Sequence, residues 1–173
     1  HDALLTHEPG DTPLGRGLRA ILADAGGPDP SPRAELLLYL ADRAEHVAKV
    51  IAPALAAGRV VVCDRFADSS EVYQGRARGL GAEEVRGLNR LACGGTWPDL
   101  TILLDLPADQ GLARAARRQG AAGFDRLEAA GGAFHRKVRE GFLAQAAAEP
   151  GRIKRPDATR PKSEVAEEIW RLV

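Results

Sequence analysis

An α/β fold, a parallel sheet with helices on both faces, is what the sequence predicts, and three observations carry the expectation. Two short apolar runs, VVVCD at Val60–Asp64 and LTILLDL at Leu100–Leu106, have the length and β-branched content of fully buried strands. Segments of helical periodicity lie before, between and after them. Gly/Pro-rich pieces such as GGPDPSP, from Gly26 to Pro32, punctuate the alternation. Strands that alternate with helices in this way bury themselves best as parallel βαβ units.

Taken in order, the first strand is expected near Ala3 to Thr6, followed by the loop HEPGDTP and a short helix from about Leu14 to Asp24. A long helix should start at Pro32, since proline suits the first turn, where its missing N–H costs nothing. Leu37, Leu40, Ala41, Ala44, Val47, Ala48, Ile51 and Leu55 recur at helical spacing and are the expected buried face. Pro53 should kink this helix and Gly58 should end it. Next come the strand Val60 to Asp64, helices around Asp68 to Arg78 and Ala82 to Cys93, and the strand LTILLDL. A helix from Ala108 leads to the loop RRQGAAGFDR, another runs from about Gly132 to Ala147, and a short strand near RIKRPD precedes a terminal helix. No repeat and no linker composition interrupts the chain, so residues 1–173 are expected to form a single domain.

Composition narrows the function classes. Lys+Arg and Asp+Glu are both 24, so no net field draws nucleic acid or an anionic membrane surface, and any anion site must be local. The basic residues are mainly arginine, which suits bidentate phosphate binding, although codon bias gives the same skew. Cys63 and Cys93 form no CxxC, and His1, His7, His46 and His135 show no HExxH-type spacing, so neither a disulfide framework nor a histidine metal site is indicated. A reducing cytoplasm fits. The sequence shows no apolar span of membrane length and no signal-peptide pattern.

The chemistry gathers after the second strand. Ligands of open parallel sheets bind beyond the carboxyl ends of the strands, and there the run DRFADSSEVYQG, Asp64 to Gly75, turns abruptly polar. An aspartate in this position can hold Mg²⁺ directly or through water, and an adjacent arginine can fork two donors onto a phosphate; a structural ion pair capping the strand is the competing account. Ser70 and Gln74, four apart, could address one ligand from one helix face. Tyr39 and Arg43, also four apart, could offer a stacking ring beside a guanidinium. A buried tyrosine or a solvated polar face explains either pair singly. Together they describe a nucleobase pocket.

These blocks, in this order, resemble the thymidylate kinase family nearly end to end. The matching pieces are THEPGDTPLG followed by Arg19, LLLYLADRAEH, DRFADSSEVYQG, PDLTILLDLP, the basic loop closing in FDRLE, FHRKVREGF and DATRP. The resemblance implies a P-loop NTPase-like three-layer fold with a short lid at about 115–126, and phosphorylation of thymidine monophosphate by ATP with Mg²⁺ as cofactor. By position it implies that Tyr39 stacks on thymine, Arg43 reaches a base carbonyl, Gln74 pairs with the ring imide, Ser70 lies beside the base and Tyr73 crowds the sugar. It implies that Arg65 and Arg19 hold the acceptor phosphate, that Asp64 organises the metal, and that Glu8 lies near both phosphate and metal. In the lid it implies a phosphate-stabilising arginine, Arg118 or its neighbour Arg117, and at the adenine end Arg114 and Arg160. A homodimer is implied, with the long helix contributing to the contact.

Two departures fall at the acceptor turn: His7 stands where arginine is usual and Asp11 where glycine is common. Phe66 stands where tyrosine is frequent. The sequence HDALLTHEPG reads as a strand already under way and no GxxxxGK[ST] occurs, so an N-terminal strand and P-loop are expected to be missing from these 173 residues. The alternatives are a P-loop-less, catalytically inactive nucleotide-binding or dimerisation module, and a kinase for another nucleoside or nucleotide.

Overall fold

A computed structural model describes residues 2–27, 29–119 and 126–173, which fall into two compact units, His1–Trp97 and Pro98–Val173. In the first unit, strands β1 (Ala3–His7) and β2 (Val60–Asp64) pair in parallel with Leu5 opposite Val62 and His7 opposite Asp64. Parallel pairing needs a crossover, and the intervening chain supplies it as helices. Helix α1 (Pro13–Ala23) is capped by Thr12, whose hydroxyl accepts from the Gly15 amide at 2.9 Å. Helix α2 (Pro32–His46) has Ser31 as its cap and proline in its first turn.

The long helix does not simply kink at Pro53. Its axis continues through a π-helical stretch, Val47–Ile51, into α3 (Ala52–Ala56), with the Ala52 amide bonded to the Val47 carbonyl. A proline has no N–H to donate and its ring crowds the preceding turn, so wide turns just ahead of Pro53 relieve the clash. Gly58 ends the run at φ 76°, a left-handed conformation suited to glycine.

The expected buried stripe of this helix is the largest correction. Leu40, Val47 and Ile51 are buried, but Leu37, Ala41, Ala44, Ala48 and Leu55 are exposed, while Glu35, Asp42, Arg43 and His46 lie inside. The helix is rotated so that a polar network, rather than the small aliphatic side chains, faces inward. Leu36 and Leu40 pack on Val85 of α5 (Ala82–Cys93), with Leu80 and Ala92 against them, and this is the apolar nucleus of the unit.

After β2 the chain forms a single turn, α4 (Ala67–Ser70), and then widens into a second π-helical stretch, Glu71–Ala77. The Arg78 amide bonds the Tyr73 carbonyl five residues back, at 3.0 Å.

In the second unit the expected strand LTILLDL is shorter than read. Only β3 (Thr101–Ile102) pairs, in parallel, with β4 (Ile153–Lys154), and an isolated bridge joins Asp105 to Asp157. Helices α6 (Ala108–Gln119) and α7 (Gly132–Ala148) make the crossover, and α8 (Lys162–Trp170) follows β4. Asp105 is gripped by both arms of Arg139, at 2.8 and 3.1 Å. The first residues of the expected lid, 115–119, belong to the last turns of α6; residues 120–125 lie outside the described residues. Among the described residues no helix is long and apolar enough to cross a membrane.

Candidate functional site

The parallel pairing of β1 and β2 brings the two expected polar segments to one sheet edge. The Glu8 amide donates to the Asp64 carbonyl at 3.0 Å, so the turn after β1 and the end of β2 start from the same point. Asp64 and Arg65 are exposed there. Arg65 is the one described non-glycine residue at positive φ, 67°, and this bend sets its guanidinium over the Tyr73 ring, 5.3 Å from the centroid. Arg19, also exposed, reaches back from α1 to donate to the Pro9 carbonyl at 2.8 Å. It lies so close to Gly10 (φ 113°) that a Cβ there would sit 2.8 Å from Arg19 Cδ.

Behind the turn lies a buried charge network. Arg43 Nε donates to Glu8 Oε2 at 2.9 Å, and its Nη2 is 2.9 Å from the same oxygen. Its Nη1 donates to Ser70 Oγ at 3.0 Å and to Asn89 Oδ1 at 2.7 Å, while the Phe66 ring lies 5.3 Å from the guanidinium carbon. The other Glu8 oxygen takes His46 Nδ1 at 2.9 Å, and His46 Nε2 lies 2.6 Å from Thr6 Oγ1. The Thr6 hydroxyl in turn bonds Asp11. His7 and Asp11, the two departures at this turn, face each other at 3.7 Å. Asp42 accepts the Gly10 amide at 3.0 Å, but its Oδ2 has no partner. Burial, reinforced by the nearby Glu8 charge, raises the Asp42 carboxyl above the ordinary carboxylate range, against the Gly10 hydrogen bond and the His46 and Arg43 charges.

About two turns earlier on α2, Glu35 makes a second polar cluster. Gln74 Nε2 donates to Glu35 Oε1 at 2.8 Å, and Arg78 reaches both Glu35 oxygens, at 3.4 and 3.0 Å. Two rungs therefore tie α2 to the segment after β2: Arg43 to Ser70, and Glu35 to Gln74. Tyr39, half-buried, sits midway along α2 between them. Arg43, Ser70 and Gln74 are buried, whereas Tyr39 and Tyr73 are half-exposed. The sequence-derived set Tyr39, Arg43, Ser70, Tyr73 and Gln74 thus gathers along one pair of packed segments. Glu35, His46, Asp42, Asn89 and Arg78 were missed. The signal for those on α2, Glu35, Asp42 and His46, was polar residues at i, i+4 spacing around Tyr39 and Arg43, which a hydrophobicity reading assigns to solvent; Asn89 and Arg78, on other elements, carried none.

As for a metal, both Glu8 oxygens already meet Arg43 and His46, so Asp64 is the nominated carboxylate open to solvent. Among the described residues no three His, Cys, Asp or Glu side chains cluster as a ligand set. A single open carboxylate fits Mg²⁺, which keeps several waters and takes substrate phosphate oxygens as ligands.

In the second unit, Arg114 of α6 donates to the Ala158 carbonyl at 3.1 Å and so touches the DATRP loop. Arg160 of that loop is exposed and paired with Glu164 and Glu168 of α8, at 3.1 and 2.6 Å. Arg117 is exposed on the last turns of α6; the side chain of Arg118 lies outside the described residues.

A family model described as Thymidylate kinase matches residues 1–169. Among curated proteins, a thymidylate kinase of Nitratidesulfovibrio vulgaris (strain DSM 19637 / Miyazaki F) is 53% identical over 177 residues, covering 100% of this chain and 82% of its own length. One from Synechococcus sp. (strain JA-2-3B'a(2-13)) is 58% identical over 171 residues, covering 98% of this chain and 79% of its own. A third, from Desulfosudis oleivorans, is 51% identical over 170 residues, covering 96% and 79%. With the strand-end turn, the buried arginine and the Gln74 segment all falling inside regions matched at such identity, the chain belongs to the thymidylate kinase family.

Proposed function

We propose that the protein phosphorylates thymidine monophosphate to the diphosphate with ATP as donor, as an Mg²⁺-assisted phosphotransferase of three-layer P-loop NTPase architecture. The observation that carries this reading is the pair of rungs bracketing Tyr39, Arg43 to Ser70 and Glu35 to Gln74, which brings an aromatic ring, a guanidinium and an amide together along one pair of packed segments. Tyr39 stacks on the base, Arg43 offers its remaining Nη2 hydrogen to a base carbonyl, Gln74 meets the imide, Ser70 lines the edge and Tyr73 limits room at the sugar. Arg65 and Arg19, exposed beside the strand end, hold the acceptor phosphate. Glu8 acts from behind, by holding Arg43 and the turn, and Asp64 is the carboxylate for the metal.

Mg²⁺, when bound with ATP, screens the phosphate charges. The acceptor oxygen needs only to be held in line, so positioning by arginines is the protein's main contribution. Arg118, with Arg117 as the alternative, serves the transferring group from a lid at about 115–126, and Arg114 and Arg160 serve the adenine end, all within one domain over 1–173. A homodimer in the cytoplasm completes the reading, supported by the exposed Leu37, Ala41, Ala44 and Ala48 row and by two free cysteines.

The test uses the intact protein, with any residues its gene encodes ahead of His1. Thymidine diphosphate should form from the monophosphate and MgATP, and Gln74→Ala should weaken nucleotide binding and blur base preference. Equal turnover of purine monophosphates, or no diphosphate at all, would refute the assignment.

A further inference from the structure

Gln74 is a symmetric-looking amide, and which of its two ends faces a ligand decides what that ligand must be. The nitrogen and oxygen of such a side chain are assigned from their partners. Here the partner is Glu35, 3% exposed, which can only accept: Arg78 lies across both of its oxygens, and a carboxylate held by an arginine fork offers no hydrogen. The Gln74 nitrogen must therefore turn toward Glu35, as its 2.8 Å bond records, and the amide carbonyl is directed the other way. Reversing the amide would bring Oε1 against a carboxylate oxygen in a buried site, a repulsive contact with no water to relieve it.

We propose that Glu35, braced by Arg78, is a positioning residue that locks the Gln74 amide with its carbonyl toward the base, so that the site selects pyrimidines carrying a ring N–H donor. This rests on the pocket reading above, and it deepens it. A thymine or uracil ring has a hydrogen on N3 to give to that carbonyl. A cytosine ring has a lone pair there and would meet the carbonyl acceptor to acceptor. Neither Glu35 nor Arg78 touches the base; their contribution passes through Gln74 alone. A free amide could rotate to suit either ring, and selectivity would fall without loss of the pocket.

The experiment measures kcat/KM of the intact protein for thymidine and deoxycytidine monophosphates, and the ratio between them, in Glu35→Gln, Gln74→Ala and the double variant. A neutral amide at position 35 can accept or donate, so the Gln74 carbonyl is no longer fixed. The ratio should fall about tenfold in each single variant, the scale set by one hydrogen bond of discrimination. In the double variant it should fall no further than in Gln74→Ala. A merely structural role for Glu35 would lower both substrates together and leave the ratio unmoved.

Arg78→Gln, at a part-exposed position, serves as a second probe if Glu35→Gln does not fold. It should lower the ratio about threefold in the wild-type background and not at all beside Gln74→Ala. If Gln74→Ala lowers the ratio while neither Glu35→Gln nor Arg78→Gln does, the positioning inference is overturned and the pocket stands. If thymidine monophosphate is phosphorylated and none of the variants moves the ratio, Gln74 does not read the base and the inference fails with that assignment. If the wild type makes no thymidine diphosphate, it is the functional reading itself that falls.

Discussion

Replacing Arg43 with methionine, which keeps an unbranched apolar stem but no guanidinium, removes the centre of the buried network. Arg43 is 2% exposed and Glu8 4%, so the carboxylate left behind cannot recover its hydration. It would keep only His46 on its other oxygen. Breaking a buried pair by deleting one partner costs about 3–5 kcal/mol. Asn89 Oδ1 and Ser70 Oγ lose a donor as well, each a loss of about 1 kcal/mol or more, but all three acceptors belong to one network and the losses overlap.

The expected total is about 4–5 kcal/mol, a large share of the roughly 5–15 kcal/mol that holds a typical domain folded. For a chain of this size it lowers Tm by about 8–20 °C. The measurement is urea unfolding of the intact protein, with an unchanged slope confirming the same unfolding reaction. The double variant Arg43→Met/Glu8→Gln should recover at least about 1.5 kcal/mol relative to the sum of the singles, because the uncompensated charge is gone. A single-variant cost below about 1 kcal/mol, or strict additivity, would mean that Arg43 and Glu8 are not a buried pair and would remove the basis of the strand-end geometry.

Three further outcomes follow from the same region. Asp42, raised in pKa by burial, contributes stability that is fully present below the ordinary aspartate value of 3.8 and is lost as pH rises through the higher native value; Asp42→Asn should therefore gain on the wild type as pH rises, and a variant that instead loses ground between pH 4 and 8 would contradict this. Gly15→Ala would place a Cβ 2.3 Å from Asp42 Oδ1 and 3.2 Å from Gly10 Cα, so it should destabilise by about 1–3 kcal/mol in thermal unfolding, and a neutral effect would show that this contact is absent. Burial pushes the Cys93 thiol up to about 11, and desolvation with the Glu8 charge raises Cys63 further; at pH 8 both should alkylate at least ~100-fold more slowly than free cysteine, and rapid native labelling of either would refute it.

That β2 is a strand and α5 a helix was legible in the sequence because the signals are local: three valines in a row, and an acidic first turn at one end of α5 with left-handed Gly94 at the other. The full burial expected of β2 was not, since Val60 and Val62 are exposed. The face of α2 was not. Ala41, Ala44 and Ala48 look like core, yet Asp42, Arg43 and His46 are inside because Glu8, some 35 residues away in sequence, supplies the partner that makes burying them tolerable. Periodicity cannot see a partner across a turn. For the same reason the functional segments could be named from motif order, while the residues that orient them, Glu35 for Gln74 and Asn89 for Arg43, could not. The widened turns over Val47–Ile51 had a local cue in Pro53, but those over Glu71–Ala77 had none.

That second widened stretch bears on how the family's chemistry can drift. Turns closed five residues apart hold one residue more than the ordinary helical path. Ser70 lies ahead of the surplus and Gln74 within it. A single-codon deletion there would return the backbone to the regular helix, leaving the residues beyond it in phase while those within the stretch, Gln74 among them, turn to new faces. The Arg43 anchor would be untouched, while the amide left its carboxylate, so fastening the pocket and discriminating the ligand are heritable separately.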